Sequence, residues 1–235
     1  MTGNNNLKRR SKSKTKRRSK SRTKTKPSLS QLKRKYDLIV FDIDSTLFDS
    51  LDKDDGTVSI KADHKLVHGG DHFKMYARPY LENFIKFCQK NFKKIALWTH
   101  ADKLWLKKFI DNILPNNTDL LFTYHSSHAE EVVIPKKGEV KLKPLSKIYA
   151  EFPEFNSSNT IIIEDTEDNC LKNLKNCIIV PEFSVKKHVD GEPDIVLPLL
   201  AKYLLKLQSG KVATIDRKGW YKKELKEFKI SQKKF

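Results

Sequence analysis

Cysteine is scarce in this 235-residue chain. Cys88, Cys170 and Cys177 are too few, and odd in number, for a disulfide framework. Each lies in an apolar pattern, so all three read as small buried hydrophobes of a reducing compartment. Long apolar runs are also missing. The longest, IVLPLLAKYLLKL over 195–207, is broken by Pro198 and Lys202. It falls short of the roughly 20 residues that a membrane span requires, so no membrane role is expected. No apolar core follows the basic N-terminus, which argues against a signal peptide. The expectation is a soluble, intracellular protein. A phosphate-cradling G-x-x-x-x-G-K-[ST] loop is absent as well, which removes the usual nucleotide-kinase chemistry.

Acidic residues are absent from the first 35 positions, which hold 15 Lys/Arg. The last 25 residues hold 9 Lys/Arg against 3 acids, so the 36–210 body is near neutral and the formal net charge of +18 belongs to the ends. Residues 1–35 alternate Lys/Arg with Ser/Thr and carry little apolar side chain to offset the entropy of ordering. They read as a disordered arm, either an import signal for a nucleic-acid-associated compartment such as the nucleus or a polyanion-binding segment. The bland alternative is a solubilising tail. Residues 209–235 form a basic C-terminal tail in which Trp220, Tyr221, Leu225 and Phe228 recur at helical spacing. A short helix docked on the body is expected there. The lysine- and asparagine-rich usage suits an A+T-rich genome, that of a microbe or a large DNA virus.

Between the ends, over 36–208, apolar runs alternate with helical patterns. Strands are expected at 37–43, 93–99, 120–124, 159–165 and 176–181, each short and mostly apolar, as in strands buried on both faces. Helices are expected after Pro79, over 104–113, 142–152, 170–174 and 195–207. Strands alternating with helices predict an α/β domain with a Rossmann-like parallel five-stranded sheet. The stretch 51–77 departs from this pattern. TVSIKA (57–62) and HFKMYAR (72–78) flank HKLVHGGD, predicting a small antiparallel hairpin excursion and no large cap domain.

An open sheet of this kind places its crevice beyond the carboxyl ends of its strands. The first run ends at Asp42-x-Asp44-x-Thr46, the second at Thr99 and the fourth at Glu164-Asp165. A lysine, Lys141 or Lys143, precedes the fourth. Paired carboxylates one residue apart resist each other's ionisation, and a phosphomonoester with Mg2+ would relieve the conflict. One carboxylate can attack phosphorus while the second moves protons for the leaving group and for water. A hydroxyl and a lysine would hold the transferring group. Taken singly, D-x-D-x-T also suits a turn, Thr99 a satisfied strand end, and either lysine a solvated surface charge.

Taken in order, these segments resemble the haloacid dehalogenase superfamily. The closer likeness is to its C-terminal-domain small phosphatase (NLI-interacting-factor-like) branch. VFDIDSTLFDS, YARPYLENFI, LWTHADKLW, KLKPLSKI and IIIEDTEDN carry the likeness over about 37–207. The resemblance implies Asp42 as nucleophile, Asp44 as general acid/base, and Thr99 and Lys143 as phosphate-binding residues. It implies Mg2+ held by Asp42, the backbone carbonyl of Asp44, and Asp165, with Thr46 and Glu164 standing behind these ligands. It further implies a phosphoprotein (Ser/Thr) phosphatase, whose best-known substrate in the branch is the RNA polymerase II C-terminal tail.

Ser45 and Pro144 depart from the branch pattern, and 125–141 lacks its Arg-Glu-x-Cys motif. That segment shapes the substrate groove, so catalysis transfers better than substrate identity. The excursion after the first motif and the 125–141 stretch are both too short for a full cap, so the phosphate is expected on a macromolecule that covers the site itself. A polynucleotide 3′-phosphatase of the same superfamily and a catalytically silent phosphoprotein- or nucleic-acid-binding adaptor are the alternatives. His64, His68, His72, His125 and His128 lack metal-ligand spacing and read as surface residues. Nothing in the sequence sets an oligomeric state.

Overall fold

The computed structural model describes Met1 and residues 34–56, 58–188 and 194–232. The basic arm expected at 1–35 lies, apart from Met1, Arg34 and Lys35, outside the described residues. Five parallel strands form the central sheet. They are β1 (Leu38–Phe41), β5 (Lys94–Trp98), β6 (Leu120–Tyr124), β9 (Thr160–Glu164) and β10 (Cys177–Ile179). Their order is β10-β9-β1-β5-β6, so β1 is central and the chain reverses direction across the sheet between β6 and β9. All five expected strands are present.

The β1 sequence LIVF is apolar throughout because both of its faces are covered. Ile39 and Phe41 join one core with α1 (Leu81–Asn91), α2 (Lys103–Asn112), α4 (Val196–Gln208) and α5 (Trp220–Gln232). Leu38 and Val40 point the other way, into a second core with α3 (Leu145–Glu151). β5 and β9 alternate in the same manner. Cys88 lies in the first core, Cys170 and Cys177 in the second, and all three are buried free thiols, as expected.

The excursion after β1 is antiparallel, as expected, with one strand more than a hairpin. It is a three-stranded antiparallel sheet of β2 (Phe48–Asp52), β3 (His64–His68) and β4 (Asp71–Ala77), in the order β2-β4-β3. HKLVH, read as a loop, is a strand, and 58–62 is not. Gly69 and Gly70 close the β3–β4 turn with φ of 59° and 93°. Two successive positive φ angles between paired residues define the tight turn that suits strand twist, and Gly-Gly accepts it without strain. The turn therefore pairs the strands on either side of it. A further hairpin, β7 (Glu130–Ile134) with β8 (Gly138–Leu142), occupies the 125–141 segment.

The C-terminal segment packs as a helix. Trp220 is fully buried, stacks on Tyr203 with ring centroids 5.5 Å apart and donates from Nε1 to Ile179 O at 2.8 Å. Expected helix 170–174 is instead a short 3-10 turn over 167–170. Among the described residues, no helix is long and apolar enough to cross a membrane.

Candidate active site

Asp42 follows the last residue of β1 and remains tied to the sheet, donating from its backbone N to Ile163 O at 2.9 Å. The chain then turns sharply. Ser45 adopts φ 57°, a left-handed conformation that is costly for a residue with a Cβ. Arg78, fully buried, braces the turn by donating from Nη1 to Thr46 O at 2.9 Å. The same guanidinium reaches Pro181 O at 2.8 Å and pairs with the buried Asp194 at 2.9 Å. A planar fork with five donors suits this three-way brace better than an ammonium would.

Lys143 lies just beyond β8 and is fully buried. Its Nζ donates to Asp42 Oδ1 and, at 2.5 Å, to Glu164 Oε1. Asn173 fixes the lysine's backbone, donating to Lys143 O at 2.6 Å while accepting from Leu145 N at 3.0 Å. Lys141, the competing lysine, is exposed and lies 3.5 Å from Glu131. Burial would discharge the Lys143 amine, but the charges of Asp42 and Glu164 outweigh it and hold its pKa above the ordinary lysine value. Glu164 accepts from three protein donors: Lys143, Asn169 Nδ2 at 2.9 Å and Thr166 N at 3.0 Å. Among the described residues Asp165, half-buried, receives two hydroxyls, Thr46 Oγ1 at 3.3 Å and Thr166 Oγ1 at 3.2 Å.

The second motif carboxylate is held separately. Thr99 Oγ1 donates to Asp44 Oδ2 at 2.8 Å, and the Trp105 indole N–H donates to Asp44 Oδ1 at 2.8 Å. Thr99 in turn accepts from Ala101 N at 2.9 Å. The structure therefore brings all seven expected site residues, Asp42, Asp44, Thr46, Thr99, Lys143, Glu164 and Asp165, to one end of the parallel sheet.

Four carboxylates face one ammonium in this cluster. Burial first, then the charges of Glu164, Asp44 and Asp165, push the Asp42 carboxyl well above its usual range, with Lys143 opposing them. Oxygens of Asp42, Glu164 and Asp165 lie within 4.8 Å of one another. An oxygen-only donor set with excess negative charge fits a hard divalent cation. Glu164 takes three protein donors, so Asp42 and Asp165 have more capacity for an ion.

Three features were not foreseen from sequence. Trp105 sits in the first turn of α2, where its apolar neighbours mark it only as core. Asn169 and Asn173 look like turn residues until Glu164 and Lys143 are placed beside them. His68, read as a surface residue, is instead half-buried. It bonds from Nε2 to Asp102 Oδ2 at 3.0 Å and packs edge-on against Trp105 at 5.2 Å. His128 also packs inward, stacked 4.3 Å from Tyr124, and His125 meets it edge-on at 4.5 Å.

Fold and site together define a doubly wound α/β domain with an acid-lysine cluster at the sheet's topological switch. The sequence model of the NLI interacting factor-like phosphatases matches residues 37–215, and the chain belongs to that family. It is 30% identical over 171 residues to the ubiquitin-like domain-containing CTD phosphatase 1 of Danio rerio, covering 71% of this chain and 48% of the relative. The protein of the same name from Homo sapiens is 27% identical over 171 residues, covering 71% of this chain and 48% of the relative. The chain thus spans about half the length of the curated relatives it matches. Its fold is similar to that of Fcp1, described as an essential RNA polymerase II CTD phosphatase. The TM-score is 0.52 at 16% identity, over 77% of this chain and 64% of that one.

Proposed function

We propose that the chain is a Mg2+-dependent phosphoserine/phosphothreonine protein phosphatase working through an aspartyl-phosphate. The observation that carries this reading is the separation of roles between the two motif aspartates. Asp42 is buried against Lys143, whereas Asp44 is held apart by Thr99 and Trp105. An Asp42 oxygen attacks phosphorus and the phosphorus–oxygen bond to the serine or threonine breaks. Asp44 gives its proton to the departing alkoxide. It then takes a proton from water, which attacks the aspartyl-phosphate and releases inorganic phosphate. Lys143 offsets charge on the transferred group, and Thr99, whose hydroxyl donates to Asp44 Oδ2 in this structure, would turn that hydroxyl to the group once it is bound. Asp42, the Asp44 backbone carbonyl and Asp165 would hold Mg2+, with Glu164 fixing Lys143 and Thr46 bridging Asp42 and Asp165. When bound, the ion supplies neutralisation of phosphate charge.

The substrate assignment is a phosphoprotein segment such as the RNA polymerase II C-terminal tail. The names of the relatives and the lack, among the described residues, of a large cap over the site support it, and such a substrate implies a nuclear site of action. Hydrolysis of p-nitrophenyl phosphate at mildly acidic pH, with and without Mg2+, tests the chemistry in wild type and Asp42→Asn. Mg2+-dependent turnover that the variant lacks is the expected result. Substantial turnover by Asp42→Asn removes the aspartyl-phosphate. No turnover by either protein points to a silent adaptor. Comparing phosphopeptides with 3′-phosphorylated DNA then distinguishes the substrate classes.

A further inference from the structure

We infer that Trp105 is the positioning residue for Asp44, linking the three-stranded sheet to the proton-transfer step. The inference rests on the role proposed above for Asp44. A carboxylate held at one oxygen can swing about its Cβ–Cγ bond. Asp44 is held at both, by Thr99 on Oδ2 and by the Trp105 indole on Oδ1, each at 2.8 Å. Indole is a donor with no acceptor capacity, so this contact has one polarity and one direction.

The ring is itself immobilised. Trp105 is 7% exposed and packs between Phe73 of β4 at 5.0 Å and Phe48 of β2 at 6.2 Å, with His68 of β3 at 5.2 Å. Its backbone is fixed as well. Asp102 caps α2 by accepting from Leu104 N at 2.8 Å and Trp105 N at 2.9 Å through Oδ1. The other oxygen of the cap, Oδ2, takes the His68 Nε2 bond at 3.0 Å. Every strand of the excursion sheet thus contacts the ring that orients Asp44. The sheet needs no catalytic group of its own to influence proton transfer.

A positioned acid matters most when the leaving group is poor. A serine alkoxide needs its proton as it leaves, whereas a nitrophenolate does not. Trp105→Phe keeps an aromatic ring against Phe48 and Phe73 and deletes the N–H. Phosphoenzyme formation should be measured in single turnovers on a phosphoserine peptide and on p-nitrophenyl phosphate, in the full chain. The same measurements are made for Asp44→Asn and for the double variant. Thermal melts check folding. Trp105→Phe is expected to slow the peptide reaction by roughly 10- to 100-fold and the aryl reaction by no more than about three-fold. Added to Asp44→Asn, it should change the residual aryl rate little, because a residue acting through Asp44 has nothing left to position.

Equal losses on both substrates, or a further fall in the double variant, would show a structural role and overturn the inference. So would an unchanged peptide rate in Trp105→Phe while Asp44→Asn is impaired. If Asp44→Asn itself turns over the peptide normally, the proposed role of Asp44 fails instead, and the two failures are told apart by that single comparison. Should Trp105→Phe melt too low to assay, Trp105→Leu, which likewise lacks a donor, carries the same expectations under the same protocol.

Discussion

Replacing Lys143 by Met tests the electrostatic frame of the site. The substitution keeps an unbranched side chain of similar length and deletes one buried positive charge. Lys143 and Glu164 are both fully buried and 2.5 Å apart, and Asp42 is 6% exposed. Without the ammonium, the carboxylates have two routes. They stay charged and unpaired, which costs about 3–5 kcal/mol for a buried pair broken from one side. Otherwise one takes up a proton, which for an ordinary carboxyl near pKa 4.3 costs about 4 kcal/mol at pH 7.5. The two routes agree at about 4 kcal/mol, a large share of the roughly 5–15 kcal/mol that stabilises a domain. At pH 5.5 the protonation route costs only about 1.6 kcal/mol. Urea unfolding in the absence of divalent ions should therefore show a deficit that shrinks by about half or more between pH 7.5 and 5.5. Lys141→Met, at an exposed pair 3.5 Å from Glu131, should change stability by under about 0.5 kcal/mol at either pH. A Lys143→Met deficit below about 1 kcal/mol, or one independent of pH, would refute the reasoning.

Three other outcomes are expected. Trp220→Ala removes a fully buried indole and its bond to Ile179 O, so it should cost about 3–5 kcal/mol and lower the melting temperature by about 10 °C in calorimetry. His100 is held down to about 3 by burial and by the positive charges of Lys143 and Lys141, so the fold must take up a proton there far more reluctantly than the unfolded chain. Native stability should therefore fall as pH drops below about 6.5 toward 3. After discounting for partial exposure, His100→Asn should lose about 1–2 kcal/mol less than wild type between pH 7 and 4.5 in urea titrations. Deleting residues 1–30, which remove 12 Lys/Arg, should spare p-nitrophenyl phosphate hydrolysis but weaken retention on DNA and flatten its salt dependence. Unchanged retention at every salt concentration would remove a polyanion-binding role for that segment.

The central sheet was readable because β1, β5 and β9 are buried on both faces, an environment that favours apolar residues. LIVF and TIIIE therefore stand out as unbroken runs, and the polar residues that stop them mark the rim. The excursion sheet was less readable. FDSLD and HKLVH each bury few side chains, so their patterns resemble loops, and the Gly-Gly turn served as a boundary only once its two positive φ angles were placed. His68 looked like a surface residue because its partners, Asp102 and Trp105, come from a helix 34 and 37 positions away.

The sequence by itself determined the order of the strands' ends, and with it the neighbourhood of Asp42, Asp44, Thr99, Lys143 and Asp165. The physical reason is that a parallel sheet with right-handed crossovers leaves those ends little choice of side. Which partner each side chain takes was decided only in the tertiary structure. Lys141 and Lys143 are two apart and share the parity of a strand, so no local pattern separates them. Their environments do: one stands in solvent beside Glu131, and the other is enclosed between Asp42 and Glu164 where β8 has ended. The same holds for Asp44, whose orientation comes from a hydroxyl 55 residues away and an indole 61 residues away. Hydrogen-bond direction is a property of assembled neighbours, and no stretch of sequence contains it.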